Sequence, residues 1–313
     1  MNNKGIVKCI CVSENRGTAK QPVNEASLRV DHGIVGDAHA GNWHRQISLL
    51  GYEVIERFRK KGAEVSFGDF GENLVVEGFD LKNIGVGRRF AVGTAVIEIT
   101  QIGKICHNHC EIFKRMGECI MPGEGIFAKV IKSGEIAVGD SIELLEEDYD
   151  RRFTAAVITV SDKASRGERK DESGPVLCDV LTKKGYELVE YFILPDEQDA
   201  IERELIRLAD SRQVNLVIST GGTGFSQRDV TPEATMNVAT RNAPGIAEAI
   251  RAESMKITGR AMLSRGASVI RNKTLIINLP GSTKAAGESI DIIIEHLEHG
   301  LAILLGRTGE CGG

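Results

Sequence analysis

The sequence lacks any long run of apolar residues. Its N-terminal stretch, MNNKGIVKCICVSENRG, has no apolar core long enough for a signal peptide, and no other segment approaches a membrane span of about 20 residues. It also lacks an excess of basic charge, because 39 Lys and Arg stand against 44 Asp and Glu and neither half is basic. We therefore expect a cytoplasmic protein that binds neither nucleic acid nor a membrane.

Two common phosphate-binding motifs are absent as well. The sequence contains neither G-x-x-x-x-G-K-[ST] nor G-x-G-x-x-G, which argues against a P-loop or a Rossmann dinucleotide site. With 313 residues, 42% apolar and 27% charged, the chain has the composition of a globular protein with two domains. The odd count of seven cysteines, without an export signal, favours free thiols over a disulfide framework.

The pattern of predicted elements changes near residue 150. Before it, short β-segments such as GIVKCICV, RRFAVGTAVIEIT, GIFAKVI and DSIELLEE predict a compact barrel-like sheet, with one helix at YEVIERFRKKG. After the acidic segment Glu146 to Arg152, apolar strands alternate with helices of about ten or more residues, which predicts a doubly wound α/β fold. We expect domains at residues 1–147 and 153–313, joined by the acidic segment.

Three loops of the second half carry the chemistry. They are VSDKASRGERKDESG, STGGTG and NLPGST, and each follows a predicted strand. Their glycines allow backbone N–H groups to approach a phosphate closely. Asp196 and Asp229 follow neighbouring strands at the same sheet edge, where two carboxylates would repel a phosphate unless a divalent cation such as Mg²⁺ lies between them.

The same residues also have purely structural interpretations. Asp196, in LPDEQ, could cap a helix that begins at Pro195, and Asp229 could order the turn before Thr231 and Pro232. The segment TGGTG could be no more than a tight turn. Residue types and spacing leave these alternatives open.

The ordered motifs of the second half resemble a known family. ITVSDKASRG, LPDEQ, STGGTGFSQRDVTPEAT, APG, MLSRG and NLPGS, over about residues 153 to 305, closely resemble the molybdopterin-binding domain of molybdopterin adenylyltransferases. The resemblance implies a three-layer α/β sandwich, usually trimeric, that transfers AMP from Mg-ATP to the terminal phosphate of molybdopterin and releases pyrophosphate.

The resemblance also assigns site residues. It implies catalytic roles for Asp196, Asp229 and Ser264, with both aspartates supporting the Mg²⁺. It implies substrate-binding roles for the matching loop residues, which are Ser161, Asp162, Thr220, Gly221, Gly222, Thr223, Gly224, Asn278, Pro280, Gly281 and Ser282.

The first half holds five of the seven cysteines and five of the seven histidines. The segment Val30 to Leu50 contains Asp31, His32, Asp37, His39 and His44, and QIGKICHNHCEIF contains Cys106, His107, His109 and Cys110. The second group does not have the paired C-x-x-C spacing of common structural zinc sites, so a metal or disulfide role for residues 106–110 stays open. Cys9 and Cys11 fit simple packing of small thiols in a sheet.

GIVGDAHAG, HRQISLL, FGENL and VGTAVIEITQIGKIC, within about residues 5 to 145, resemble the MOSC domain, named for the C-terminal domain of molybdenum cofactor sulfurases. The resemblance implies a β-rich barrel that binds the molybdenum cofactor or carries sulfur on Cys106, as a thiolate or persulfide. The pyridoxal-phosphate domain that precedes MOSC in full sulfurases is absent from this sequence, so we expect a separate cysteine desulfurase as sulfur donor.

Together the halves predict a bifunctional protein of molybdenum cofactor biosynthesis, with a molybdenum-insertion protein as a further expected partner and a homotrimer formed through the C-terminal half. The alternative function is a carrier or scaffold that binds molybdopterin or the molybdenum cofactor without turnover.

Overall fold

The computed structural model describes residues 3–104 and 111–307. The chain divides into two compact units, one of which ends at Asp148 while the other begins at Tyr149. That division falls inside the acidic segment between the two halves. Within the described ranges, no helix combines the length and apolar character needed to cross a membrane.

The first unit consists mainly of β-strands. Its strands are β1 (Lys4–Val12), β2 (Gln21–Val23), β3 (Glu25–Arg29), β4 (Gly33–Ile34), β5 (Ile47–Gly51), β6 (Leu74–Glu77), β7 (Arg89–Val92), β8 (Ala95–Ile102), β9 (Ile126–Lys132), β10 (Gly134–Ala137) and β11 (Ser141–Leu144). Its helices are α1 (Tyr52–Lys60), α2 (Glu111–Met116) and α3 (Met121–Glu124), with a 3₁₀ turn at Leu81–Asn83.

Seven of these strands close into a barrel. Hydrogen bonds join β1, β6, β5, β9, β8, β7 and β11 in that order, and β11 pairs back to β1 with Lys4 opposite Glu143. Strand β2 extends the sheet from β1, and β10, β3 and β4 form a separate small sheet. The interior is filled by buried aliphatic and aromatic side chains such as Val7, Leu74 and Phe90. The barrel predicted from the short β-segments is confirmed.

The second unit alternates strands and helices. Its strands are β12 (Thr154–Val160), β13 (Glu187–Leu194), β14 (Leu216–Thr220), β15 (Arg241–Asn242), β16 (Ser268–Arg271) and β17 (Thr274–Leu279). Its helices are α4 (Asp162–Ser165), α5 (Ser173–Lys183), α6 (Gln198–Ile206), α7 (Thr231–Asn237), α8 (Pro244–Met255) and α9 (Thr283–Leu304), with a wide helical turn at Arg207–Ser211 and a 3₁₀ turn at Gly259–Leu263.

Six strands form one sheet in the order β13, β12, β14, β17, β16 and β15. The first four are parallel, and β16 and β15 run antiparallel at one edge. Alternate strand residues face two separate cores: Val157 and Ile218 pack with α5, α8 and α9, whereas Ile158 and Val217 pack with α6 and α7. Helix α9 buries an i, i+3, i+4, i+7 stripe from Ile290 to Leu301. The predicted α/β fold is confirmed.

Two details of the second half differ from the sequence-based prediction. The helix expected to open at Pro195 begins at Gln198, because the backbone of Glu197, just before it, is extended with a φ of −123° and a ψ of 116°. The antiparallel strands β15 and β16 are absent from the prediction. They have only two and four residues, too few to show a periodic pattern.

Candidate active site

The parallel strands of the second half end at one edge of the sheet. Val160 lies opposite Leu194, and Thr220 lies opposite Leu279, so the loops that follow β12, β13, β14 and β17 emerge side by side. Such an edge is where open α/β sheets bind ligands. These are the loops that the sequence singled out.

Glycines allow the loops to touch. Gly221 has a φ of +99°, and a Cβ at this position would collide with the carbonyl oxygen of Val160 at the end of β12. A Cβ on Gly281 would lie 3.0 Å from the Cα of Gly221. The hydroxyl of Thr220 donates to the carbonyl oxygen of Pro280 at 2.7 Å. Thr220, Gly221, Pro280 and Gly281 therefore form one packed junction.

The glycine loop offers unpaired donors. Among the described residues, the backbone N–H groups of Gly222, Thr223 and Gly224 have no hydrogen-bond acceptor, although Thr223 is buried. Buried backbone donors are almost always paired. Three consecutive free N–H groups in a glycine-rich loop fit a bound phosphate or another oxyanion.

Both predicted aspartates lie against this loop. A Cβ on Gly222 would be 3.1 Å from Oδ1 of Asp196, and one on Gly224 would be 2.9 Å from Oδ2 of Asp229. Burial raises the pKa of Asp196, and the negative charges of Asp162 and Asp229 raise it further. Two carboxylates beside an anion cradle match the hard oxygen donors that Mg²⁺ prefers, which usually takes one or two carboxylates and completes its coordination with phosphates and water.

A third carboxylate fixes Asp196. The backbone N–H of Asp162 donates to Oδ2 of Asp196 at 2.7 Å, and the backbone N–H of Asp196 donates to Oδ1 of Asp162 at 3.0 Å. Arg228 binds the Asp162 carboxylate through two hydrogen bonds of 3.0 and 2.8 Å, which lower the pKa of Asp162. The carboxylate of Asp196 does not cap helix α6, so the capping alternative does not describe this residue.

Asp229 does have a structural contact. Its Oδ2 accepts the backbone N–H of Ser226 at 2.9 Å, which closes the turn from Ser226 to Asp229. An ionised carboxylate has several lone pairs, so this bond leaves it free to take a cation as well. Both interpretations of Asp229 are therefore compatible.

Arg265, which the sequence analysis did not single out, holds the loop in place. Its Nε donates to the carbonyl oxygen of Gly224 at 2.7 Å, Nη2 donates to that of Asp229, and Nη1 pairs with Glu233. The backbone N–H of Arg265 donates to the carbonyl oxygen of Thr223 at 3.0 Å. This hydrogen bond brings the preceding residue, the half-buried Ser264, next to the loop. The arginines in QRDVTP and LSRG adjoin predicted site residues, which is the signal that could have identified Arg228 and Arg265.

The remaining predicted residues have internal contacts. The hydroxyl of Ser161 caps α4 by accepting from Ala164, and that of Ser282 caps α9 by accepting from Ala285. The amide of Asn278 is buried and fully engaged with Ser219, Thr235 and Ala267. In this structure these contacts make Asn278 a support for the end of the sheet.

The barrel has a separate cavity of about 680 Å³. It is lined by residues of the motifs GDAHAG, HRQISLL and FGENL, including His39, Arg45, Ser48 and Asn73. Lys104, Lys114 and Arg115 add positive charge, and Asp69 is the sole carboxylate among the lining residues that the structure describes. Arg45 stacks on Trp43 and on Phe127, with its guanidinium carbon 4.8 and 5.4 Å from the ring centroids. The positive lining makes the cavity suited to an anion.

The predicted cysteine Cys106, with His107, His109 and Cys110, lies outside the described residues. Lys104 and Ile112, on either side of that gap, both line the cavity. Cys9 and Cys11 are buried with their sulfur atoms 3.5 Å apart, and burial raises the pKa of Cys11, as expected for thiols packed in a sheet. No group of three or more His, Cys, Asp or Glu side chains within residues 3–104 and 111–307 is arranged to hold a metal ion.

Comparisons with known proteins match both halves. The family model of a probable molybdopterin-binding domain matches residues 156–299, and that of the MOSC domain matches residues 36–143. A molybdopterin adenylyltransferase of Helicobacter pylori is 41% identical over 153 residues, which are 48% of this chain and 87% of that protein. The molybdopterin adenylyltransferase of Escherichia coli K12 is 43% identical over 138 residues, 43% of this chain and 70% of that protein.

Among solved structures, the molybdopterin biosynthesis enzyme MoaB of Thermus thermophilus is 41% identical, with a TM-score of 0.48, and covers 49% of this chain and 97% of its own. The family matches confirm both resemblances drawn from the sequence motifs.

Proposed function

The chain belongs to the family of molybdopterin-binding domains that includes the molybdopterin adenylyltransferases, and on that premise we propose that its C-terminal half transfers AMP from Mg-ATP to the terminal phosphate of molybdopterin. The observation that carries the proposal is the row of free N–H groups from Gly222 to Gly224, placed directly against Asp196 and Asp229. The loop after β14 supplies both the phosphate cradle and Asp229, and the loop after β13 supplies Asp196, so the carboxylates that a phosphate-bound cation needs lie beside the cradle.

The chemistry is a displacement at phosphorus. An oxygen of the molybdopterin phosphate forms a bond to the α-phosphorus of ATP, the bond from that phosphorus to the bridging oxygen breaks, and pyrophosphate leaves with the electron pair. A phosphate monoester is largely ionised at neutral pH because its second pKa is about 6, so the nucleophile needs no general base. Most of the catalysis is then positioning and charge neutralisation.

Different residues would carry out the positioning and the charge neutralisation. The Gly222 to Gly224 amides bind and orient a phosphate, and Asp196 and Asp229 would hold Mg²⁺, which when bound neutralises phosphate charge. Asp162 and Arg228 fix the carboxylate of Asp196, and Arg265 fixes the loop carbonyls. Ser264, carried on the segment that Arg265 anchors, would contact a substrate at the loop's open side.

The decisive experiment incubates the purified protein with molybdopterin and Mg-ATP and looks for adenylylated molybdopterin by mass spectrometry. We expect product and pyrophosphate in equal amounts. Tight binding of molybdopterin without product would instead favour the carrier or scaffold function.

Replacing Arg265 with lysine should loosen the glycine loop. A lysine has one ammonium group and cannot bond Gly224, Asp229 and Glu233 together, whereas a planar guanidinium can. Since hydrogen bonds to charged groups are worth about 1.5–3 kcal/mol each, we expect kcat/KM for AMP transfer to fall roughly tenfold or more. Arg260, exposed in the neighbouring 3₁₀ turn, is the matched control, and Arg260→Lys should keep the wild-type value. Equal rates in both variants would contradict the role given to Arg265.

For the N-terminal half we propose that the cationic cavity of the barrel binds the molybdenum cofactor, and that Cys106 carries sulfur there. The support is the positive lining, the stacking surfaces Trp43 and Phe127, and the position of Lys104 and Ile112 on the cavity wall. A cysteine desulfurase would supply the sulfur, and a molybdenum-insertion protein would supply or receive the cofactor.

Exposure to a cysteine desulfurase and its substrate should place a persulfide on Cys106. Mass spectrometry of peptides from treated protein reads this directly, with Cys119, a half-buried cysteine of the same half, as the internal control. Labelling at Cys110 or Cys119 without labelling at Cys106 would rule out the assignment.

We propose that the C-terminal half is a three-layer sandwich, supported by the two separate cores on the faces of its sheet. We also propose a homotrimer formed through this half, supported by the exposed apolar side chains of Met255, Ile257, Met262 and Leu263. Light scattering coupled to size-exclusion chromatography should give three times the 34.0 kDa chain mass.

A further inference from the structure

The barrel contains a buried ion pair beside its cavity. Lys20 and Asp37 bond directly, and their side chains are 1% and 0% exposed. The Asp37 carboxylate also accepts the backbone N–H of Ser13 at 3.1 Å, that of His39 at 2.9 Å and the Asn73 amide at 3.1 Å. A pair bonded so completely is held in one geometry, and it can fix the orientation of whatever it touches.

What it touches is the ring of His39. Lys20 Nζ lies 3.4 Å from Nδ1 of His39, and Oδ1 of Asp37 lies 3.5 Å from the same nitrogen. An ammonium group has donors and no acceptor, so Lys20 can bond Nδ1 only through its lone pair, whereas Asp37 could bond it only through an Nδ1–H. Because Lys20 is the nearer group and Oδ1 of Asp37 already accepts the backbone N–H of His39, we assign the hydrogen bond to Lys20, which places the proton of the neutral ring on Nε2.

The other side of His39 faces the cavity. The residue lines the cavity wall, its side chain is 35% exposed, and no partner for Nε2 occurs among the described residues. Burial and the positive charge of Lys20 lower the pKa of His39, with Arg16 acting in the same direction and Asp37 against it. The ring therefore stays neutral, with a free N–H, at pH 7.

We propose that His39 donates a hydrogen bond from Nε2–H, as a neutral imidazole, to a phosphate-type oxyanion bound in the barrel cavity, and that Lys20 and Asp37 are the positioning residues that fix its tautomer. The proposal rests on cofactor binding in the barrel and adds to it the group that meets the anion. Arg45, Lys114 and Arg115 attract the anion by charge, whereas His39 supplies a donor of fixed direction.

Binding can be measured at this cavity alone, because Trp43 lines it and is the chain's single tryptophan. Inorganic pyrophosphate added to the full-length protein should change Trp43 fluorescence, whatever it does at the C-terminal half. We expect His39→Ala to weaken this binding about tenfold or more, and His39→Gln, whose amide can donate from a similar position, to stay within about threefold of wild type. His32→Ala, an exposed histidine of the same segment, should bind as wild type does.

The tautomer of His39 can be tested without substituting Lys20 or Asp37. Long-range ¹H–¹⁵N spectra at pH 7 should show His39 protonated on Nε2 and bare on Nδ1, with the Nε2 signal shifting when pyrophosphate binds. A ring protonated on Nδ1, or His39→Ala binding pyrophosphate with wild-type affinity, would overturn the role of His39 while leaving cavity binding intact. If Trp43 fluorescence did not change at any pyrophosphate concentration, both the role of His39 and anion binding in the cavity would be overturned. AMP transfer by the C-terminal half is judged by its own assay.

Discussion

Replacing Asp229 with asparagine is expected to lower the rate of AMP transfer by roughly 10²–10³-fold, the usual cost of removing one group that stabilises transition-state charge. Asparagine keeps the shape of the side chain, and its carbonyl oxygen can still accept the N–H of Ser226, so the turn is preserved while the charge is lost. Asp196→Asn should have a similar effect, since its oxygen can still accept the N–H of Asp162. Both substitutions remove a negative charge and keep the backbone hydrogen bond that the side chain accepts.

The measurement is kcat as a function of Mg²⁺ concentration, with unfolding followed in parallel. We expect the apparent Mg²⁺ affinity to fall in both variants, because each loses a charged oxygen ligand. Asp199 is an exposed carboxylate in the first turn of α6, and Asp199→Asn should leave kcat and the apparent Mg²⁺ affinity unchanged. If Asp229→Asn and Asp196→Asn retained nearly full activity, the two carboxylates would be structural and the catalytic assignment would be wrong.

Gly221→Ala is expected to destabilise the C-terminal half by about 2–4 kcal/mol and to abolish most of its activity. Two costs add at this position. A φ of +99° is unfavourable for any L side chain, and the new methyl group would collide with the carbonyl oxygen of Val160, a backbone atom of a central strand that cannot move aside. The loop must then shift, and the Gly222 to Gly224 amides shift with it.

Gly185→Ala separates the two costs. Gly185 has a similar φ of +87°, but no heavy atom lies within 4 Å of a Cβ built there, so this variant has backbone strain without collision. We expect it to lose about 1–2 kcal/mol and to keep its activity. Hydrogen exchange of the β14 amides, Leu216 to Thr220, measures the stability of this half directly. Equal losses in the two variants would contradict the close packing of Gly221 on β12.

Much of the second half could be predicted from its sequence. Strand β13 and helices α5 and α9 were accessible to prediction, because each has a long periodic or apolar pattern with clear breakers at its ends. The placement of Asp196, Asp229 and the glycines at one edge followed from their positions after parallel strands. Strands such as β4, β15 and β16 were missed, because two to four residues form a strand only when a neighbour offers hydrogen bonds.

The barrel site was less accessible to prediction. The motifs GDAHAG and FGENL were recognised, but nothing near Lys20 indicates that its ammonium group pairs with a carboxylate 17 residues away. That pair forms because the surrounding strands bury both groups, and a buried charge is stable only with an opposite charge beside it.

The sequence by itself determined the change of pattern near residue 150, the class of each half and the position of the glycine-rich loop after a strand, because periodicity, breakers and glycines are local properties. Only the tertiary structure decided which backbone donors of the glycine loop are free and which groups Arg228, Arg265 and His39 contact. Those outcomes depend on groups far apart in the chain that meet only when the sheet edge and the barrel are closed.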